Sequence, residues 1–192
     1  TKNNNIAMCF TCSDNKRPGE NNGMLREISL TTGIVLREQL LPIQHGNTAC
    51  FNSAENKIVI ANRHFVNTDN TIVGNGILTI VDYEDFSQYT TQTMPYNVLA
   101  IAWDSTTNTY YIADSSYTIH VTNNSFTEIN TLNLKLEDGV GNIFQAFDVY
   151  NGVLAVLFSE PYTLTLYDTS GNLIRKYNTP NYLQGVVRIR ES

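Results

Sequence analysis

The chain has 192 residues, with 12 basic and 18 acidic side chains and a formal net charge of −6. Because binding to nucleic-acid phosphates requires clustered Lys and Arg, this balance excludes a nucleic-acid-binding face. Hydrophobic residues make up 42% of the sequence, which is enough for a buried core. The sequence contains no apolar run long enough to insert into a membrane.

Length predicts a single domain spanning 1–192. The sequence begins without Met and shows no signal peptide, so we expect an excised or processed part of a longer protein. Cys9 and Cys12 form a C-x-x-C motif in a strand-like run, where residues three apart point to opposite faces. We therefore predict buried cysteines, with no bound metal and no cofactor.

The apolar residues of the first segment alternate with period two, which predicts strands rather than helices. Strands are expected at Ile6–Thr11, Met24–Leu30 and Ile34–Leu40. The alternative is one helix over Met24–Gln39, and the turn signal at Gly33 disfavours it.

A two-strand motif then occurs three times along the chain. It appears as HGNTACFNSAENKIVIA (His45–Ala61), IAWDSTTNTYYIA (Ile101–Ala113) and FDVYNGVLAVL (Phe147–Leu157). Asn56 of the first copy aligns with Asn108 of the second, at the end of the polar turn. Self-similar strand units at a period of about 40–50 residues are typical of propeller blades.

Two further strands complete each of these units. In the second unit a polar loop, Asn62–Asn75, separates the first two strands from the third. The predicted third and fourth strands are Gly76–Asp82 with Phe86–Met94, Tyr117–Thr122 with Thr127–Leu134, and Thr163–Tyr167 with Asn172–Tyr177.

The first unit has three predicted strands and lacks an inner first one. The C-terminal segment Leu183–Ile189 (LQGVVRI) matches the inner strand Phe144–Tyr150 (FQAFDVY), yet no unit follows it. We expect it to complete the first blade and remove a free sheet edge. The predicted fold is all-β, a small β-propeller of four to five four-stranded blades, closed by this C-terminal strand.

The motif His45-Gly46-Asn47 followed by NKIVIAN, then FQAFDVYNGVLAV and YDTSGNLI, resembles the propeller platform domain of receptor-binding tail or fibre proteins of phages infecting Gram-positive bacteria. In that family an H-[GA]-N-D motif precedes a strand ending in Tyr-Asn, whereas this chain has Thr48 and Phe51 at the Asp and Tyr positions. The resemblance covers most of Met24–Leu183.

By resemblance, the domain is a five-bladed propeller that forms a homotrimer. The resemblance also implies that it assembles with other virion or tail subunits. The resemblance places it on the virion (phage tail) or an extracellular surface, and the lack of a long apolar run predicts no membrane insertion. It implies binding to a bacterial cell-wall glycopolymer such as teichoic acid.

Six residues are candidate ligand-binding residues: His45, Asn47, Trp103, Asp104, Asp148 and Arg188. His45 precedes an inner strand, where an imidazole can donate to a sugar hydroxyl; the alternative is a loop histidine that fixes the turn with Asn47. Trp103 aligns with Phe51 and Val149, which predicts a core residue.

The acids among these candidates have two interpretations. Asp104, Asp148 and Arg188 are expected to converge on the propeller channel, and the alternative is an internal salt bridge or hydration site. Asp104 and Asp168 also fit turns, because Asp bonds its own backbone two residues on. Tyrosines near loops and strand ends, which suit sugar stacking or burial in blade packing, are Tyr96, Tyr110, Tyr117, Tyr162 and Tyr182.

These patterns favour a carbohydrate-binding receptor protein of a virion, used for host attachment. A purely structural or oligomerisation propeller is the second hypothesis. A polysaccharide hydrolase or lyase is the third, and it requires facing carboxylates or clustered histidines. The sequence has no G-x-S-x-G and no H-E-x-x-H motif, so we predict a non-enzymatic protein without catalytic residues.

Overall fold

A computed structural model of the chain describes residues 6–11, 23–41, 43, 45–63, 65–66, 72–73, 76–137, 143–159 and 161–179. These residues form 17 β-strands and no helix. They divide into two compact units, one within 1–97 and the other within 98–191. The all-β prediction is confirmed.

The first unit contains two larger sheets, in which neighbouring strands pair antiparallel. Sheet one has the order β1-β2-β3 and sheet two the order β4-β5-β8-β9. The strands are β1 (Ile6–Thr11), β2 (Gly23–Ser29), β3 (Val35–Leu41), β4 (His45–Asn52), β5 (Lys57–Arg63), β8 (Ile77–Asp82) and β9 (Tyr89–Thr93).

A short hairpin lies between β5 and β8, where the sequence predicts only a loop. Its strands are β6 (Phe65–Val66) and β7 (Ile72–Val73), paired antiparallel. The prediction is wrong on this point because two pairs of β-favouring apolar residues stand within an otherwise polar stretch.

The second unit repeats this design with two four-stranded sheets. Sheet three has the order β10-β11-β12-β13 and sheet four the order β14-β15-β16-β17. The strands are β10 (Val98–Asp104), β11 (Thr109–Asp114), β12 (Thr118–Thr122), β13 (Glu128–Asn133), β14 (Ile143–Tyr150), β15 (Val153–Ser159), β16 (Thr163–Asp168) and β17 (Leu173–Asn178). Such sequential four-stranded meanders fit a propeller-like fold.

The first strand of each four-stranded sheet carries a bulge at the same position of the repeat. One residue is skipped in the ladder between Gly46 and Thr48, between Val98 and Ala100, and between Phe144 and Ala146. The skipped residues are Asn47, Leu99 and Gln145. A bulge bends its strand and re-aims the extra side chain, so the H-G-N motif coincides with a conformational feature that all three sheets share.

The hairpin turns also follow the sequence repeat. Asn56 and Asn108 end their turns with φ of 57° and 58°, a left-handed conformation that Asn tolerates well. In the shortened third copy, Asn151 and Gly152 have φ of 49° and 72°, as a two-residue type I′ hairpin requires. The alignment of the turns is therefore confirmed.

Each unit has its own apolar core. In the first unit, Leu25 and Leu41 of sheet one pack with Ile58, Ile60 and Val81 of sheet two. In the second unit, the core joins facing sides of sheets three and four through Ala102, Tyr111, Ile119, Phe144, Phe147, Val156 and Phe158. Burial of each large side chain contributes about 1.5–3 kcal/mol, which outweighs any single polar contact on the surface.

A pair of glycine substitutions separates steric from conformational cost. Gly171 and Gly33 both have positive φ, of 77° and 71°. A Cβ on Gly171 would overlap the backbone oxygen of Asn133, whereas one on Gly33 would meet nothing within 4 Å. We expect Gly33→Ala to cost about 1–2 kcal/mol and Gly171→Ala at least about 2 kcal/mol more, measured by urea unfolding. Equal losses would contradict this packing of the turn.

Candidate functional site

Two of the six predicted ligand-binding residues have side chains whose surroundings are not described. Arg188 lies outside the described residues, and His45 is described by its backbone alone, as the first residue of β4. Asn47 is half-buried at the bulge of the same strand. The roles predicted for these three residues remain predictions.

Trp103 and Asp104 are neighbours at the end of β10, and both are buried. Trp103 is 8% exposed, and its ring centroid lies 4.7 Å from that of Tyr110, which in turn stacks on Phe126 at 4.9 Å. Its indole Nε1 has no hydrogen-bond partner among the described residues. The prediction that Trp103 is a core residue is confirmed.

Asp104 closes the turn after its strand. One carboxylate oxygen, Oδ1, accepts the backbone N–H of Thr106 at 2.9 Å. The other, Oδ2, is buried and finds no partner within the described part of the chain. Asn52, at the same position of sheet two, accepts the N–H groups of Ala54 and Glu55. The turn interpretation of Asp104 is thus confirmed.

Asp148 lies at a different position of the repeat from Asp104. It lies opposite Ala155, whereas Asp104 lies opposite Thr109 at the end of its strand. The residue of β14 equivalent to Asp104 is Tyr150. Asp148 is half-buried, and its Oδ1 accepts the N–H of Val149 at 2.9 Å. The repeat therefore does not bring the two acids to equivalent positions.

A cluster that the sequence reasoning missed lies on sheet three, where His120 sits between two carboxylates. Its Nδ1 is 2.5 Å from Oε2 of Glu128, and its Nε2 is 3.2 Å from Oδ2 of Asp114. Asp114 also accepts the backbone N–H groups of Ser116 and Thr118. The strand register is the feature that brings these residues together. Ile112 pairs with His120, and Asp114, two residues after Ile112, lies on the same face of the sheet as His120.

In this cluster one imidazole bridges two carboxylates. A neutral imidazole has one N–H and donates to one carboxylate at a time, whereas the imidazolium donates to both. The contacts also tie the edge strand β13 to the end of β11. In the part of the chain that the structure describes, no group of three or more His, Cys, Asp or Glu residues is arranged to hold a metal ion.

A second missed cluster lies in the first unit around the buried Glu27. The guanidinium of Arg37 donates from Nε to Glu27 Oε2, and the hydroxyl of Tyr83 donates to Oε1 at 2.5 Å. Arg37 also donates to the carbonyls of Tyr83 and Glu84, at 2.6 and 3.0 Å, and lies 3.8 Å from the ring centroid of Phe86. These contacts fix sheet one against the turn after β8.

Burial raises the pKa of Tyr83, and the hydrogen bond to Glu27 and its charge raise it further. Burial likewise raises the pKa of Tyr111, with the charge of Asp104 adding to it, and of Tyr167. The folded chain therefore retains phenolic protons at a pH where the unfolded chain loses them.

The outermost strands are the most exposed surfaces of the described sheets. All five residues of β9 are exposed, as are five of six in β13 and five of six in β17. Thr, Gln and Asn dominate the first two strands, and Tyr89 and Tyr177 are each 43% exposed. Among the tyrosines proposed from sequence as sugar surfaces, Tyr110 is instead 1% exposed and stacks inside the sheet.

No family model and no curated protein matches the chain. The fold is similar to the crystal structure of glutaminyl cyclase from Myxococcus xanthus, with a TM-score of 0.60 and 13% sequence identity. The match covers 80% of this chain and 61% of the cyclase chain. At this identity the likeness shows the fold alone. No helix among the described residues has the length and hydropathy of a membrane span.

Replacing the tyrosine beside Glu27 tests its contribution to stability. Tyr83→Phe leaves a buried carboxylate oxygen without its donor, at a cost of about 1–3 kcal/mol at neutral pH. Because the pKa of Tyr83 is raised above 10.0 in the folded state, its contribution is complete below pH 10 and is lost as pH rises.

The measurement is the free energy of unfolding of wild type and Tyr83→Phe at pH 7, 9, 10 and 11. The difference between them should narrow above pH 10. Tyr89→Phe, on the exposed strand β9, is the matched control, because it also removes a tyrosine hydroxyl. A gap of constant size across this range would show that Glu27 and Tyr83 are not coupled as described.

Proposed function

We propose that the chain is a carbohydrate-binding module of a phage tail or fibre protein, which attaches the virion to a bacterial cell-wall glycopolymer. Two lines support the proposal. The H-G-N, NKIVIAN and YDTSGNLI motifs resemble receptor-binding tail proteins. The described sheets direct amide and hydroxyl side chains outward along their last strands.

The observation that carries this proposal is the chemistry of the outer strands. Sugars are recognised by hydrogen bonds to hydroxyl groups and by aromatic faces that stack on their C–H groups. Strand β9 presents Tyr89, three threonines and Gln92 in one fully exposed run. Strand β17 presents Tyr177 beside Arg175, whose guanidinium lies 5.9 Å from the tyrosine ring centroid and can pair with an anionic glycan.

The architecture proposed for this module is one domain, a propeller of four to five blades closed by the C-terminal strand. The three four-stranded meanders and the fold likeness support it. By resemblance, the module works as a homotrimer with other tail subunits. His45, Asn47, Asp148 and Arg188 remain proposed ligand contacts, whereas the buried Trp103 and Asp104 would act by shaping their turn.

A glycan array and a pull-down with purified cell walls test the binding. We expect wild type to bind at least one cell-wall glycan, and Tyr89→Ala with Tyr177→Ala to weaken binding about 30-fold, since stacking on each exposed ring contributes about 1 kcal/mol. Ser53→Ala, in an exposed turn, is the control. Absence of wild-type binding, or full binding by a folded double variant, would refute the proposal.

A structural role in oligomerisation is the second candidate, and one observation favours it. The hairpin of β2 and β3 exposes four aliphatic side chains close together in sequence: Leu30 at 56%, Ile34 at 61%, Val35 at 43% and Leu36 at 54%. Contiguous exposed apolar groups mark interaction surfaces, and the outer strand β9 of the neighbouring sheet has none of this character.

Light scattering across a concentration series tests this second role. If the hairpin mediates assembly, Ile34→Ser with Leu36→Ser should lower the molar mass to that of the 21.6 kDa monomer. Thr90→Ser, on exposed β9, is the control. If the double variant still forms the oligomer, this hairpin is not the assembly surface. Glycan binding by the double variant can be measured on the same sample.

A further inference from the structure

The loop between β12 and β13 carries an aromatic residue at a position where the repeat also uses glycine. Phe126 donates its backbone N–H to the carbonyl of Asn123 at 3.0 Å, as Gly171 does to Asp168 in the loop between β16 and β17. Both residues have a left-handed backbone, with φ of 58° and 77°, as the last position of a three-residue hairpin loop requires. A bulky residue in this conformation is an outlier, and such strain is concentrated at ligand-binding segments.

The ring of Phe126 covers the ring of Tyr110. The two rings stack with centroids 4.9 Å apart and an interplanar angle of 21°, and the ring of Trp103 lies 4.7 Å from that of Tyr110. Trp103 and Tyr110 are 8% and 1% exposed, whereas Phe126 is half-buried. Phe126 is thus the member of this stack that solvent partly reaches, and its displacement uncovers the face of Tyr110.

Three buried polar atoms around this stack have no hydrogen-bond partner among the described residues: Trp103 Nε1, Thr122 Oγ1 and Asn124 Oδ1. Trp103 and Thr122 lie directly opposite Tyr110 on the two neighbouring strands, so these three side chains share one face of sheet three. Asn124 belongs to the same loop as Phe126. Because buried polar groups are normally hydrogen-bonded, this end of sheet three has a donor, a hydroxyl and an acceptor for a ligand.

We propose that Phe126 is a displaceable lid over a subsite for a sugar that carries an amide group, an N-acetylated hexosamine. The indole N–H is a donor only and the carboxamide oxygen an acceptor only. Trp103 therefore suits the carbonyl oxygen of the acetamido group, and Asn124 suits its N–H. The pyranose ring takes the place of Phe126 on Tyr110, and the hydroxyl of Thr122 bonds a sugar hydroxyl.

The loop can release the ring without separating its strands. Oδ1 of Asn123 accepts the backbone N–H groups of Ser125 and Thr127, each at 3.0 Å, and the backbone of Asn123 is bonded to Thr127 as well. These bonds hold both ends of the loop while Phe126 leaves its strained conformation, and the relief of strain offsets part of the lost stacking. Trp103, which shapes its turn while the lid is closed, then also contacts the sugar.

The fluorescence of Trp103, the single tryptophan of the chain, measures binding at this subsite. We titrate the full chain with N-acetylglucosamine and with glucose, which differ only in the acetamido group. We expect a saturable change with N-acetylglucosamine and at least about tenfold weaker binding of glucose, because glucose leaves the buried donor and acceptor unpaired. Thr122→Val, which removes a hydroxyl at nearly constant volume, should weaken binding about fivefold.

Equal responses to the two sugars would overturn the assignment of an amide-bearing ligand. No response to either sugar would overturn the subsite, since solvent alone then satisfies the three polar atoms. The subsite rests on the carbohydrate binding proposed above, and a pull-down with purified cell walls separates the two. Walls that are bound by a chain without any response to N-acetylglucosamine would overturn the subsite and leave the proposed function standing.

Removal of the lid tests the role of Phe126 directly. Phe126→Gly takes away the ring and the strain together, so we expect N-acetylglucosamine to bind about three- to tenfold more tightly, since no stacked pair has to be broken. Ser125→Gly, in the same loop with the ring kept, is the matched control and should bind like wild type. Unchanged or weaker binding by Phe126→Gly, with a folded chain by circular dichroism, would show that the ring belongs to the core and would overturn the lid.

Discussion

Side-chain bonds to the backbone fix the turns of this protein, and the sheets depend on them. Six described turns are closed by an Asp or Asn whose Oδ1 accepts N–H groups two to four residues further along: Asn52, Asp82, Asp104, Asp114, Asn123 and Asp168. Because a turn sets the pairing of the strands it joins, these bonds also determine which side chains face the core.

Four of these six turn residues are aspartates. Bonds from Asn172 hold the pKa of Asp168 below its usual range, and the ammonium of Lys57 does the same for the pKa of Asp82. Ionised carboxylates engaged in this way serve as strand connectors. Glu128 differs from these aspartates, because it is exposed and meets a histidine instead of a backbone amide.

Strand order and turns were predictable from sequence because both are local. The period-two alternation gave the strands within a few residues, and the aligned asparagines anticipated the left-handed turn residues. Phe86 shows the limit of the pattern, since it was predicted within a strand but lies in a turn with its ring buried. A buried ring in a turn lies outside the period-two alternation of a strand, so that alternation does not predict it.

The clusters around Glu27 and His120 were beyond the reach of the sequence for a different reason. Glu27 meets Tyr83 across 56 positions of the chain, and no periodicity links them. His120 meets its two acids only once the register of three strands is known. The bulges were also missed, because an extra residue in a strand leaves the alternation of apolar residues intact on either side.

The exposure of the outer strands affects how this protein can evolve. On β9 the backbone is held by β8 while every side chain points into solvent. Side chains there can be exchanged with little effect on folding, since surface substitutions usually shift stability by less than about 0.5 kcal/mol. Natural selection can therefore change this surface repeatedly, and lineages that share the scaffold are free to diverge in the chemistry of this strand.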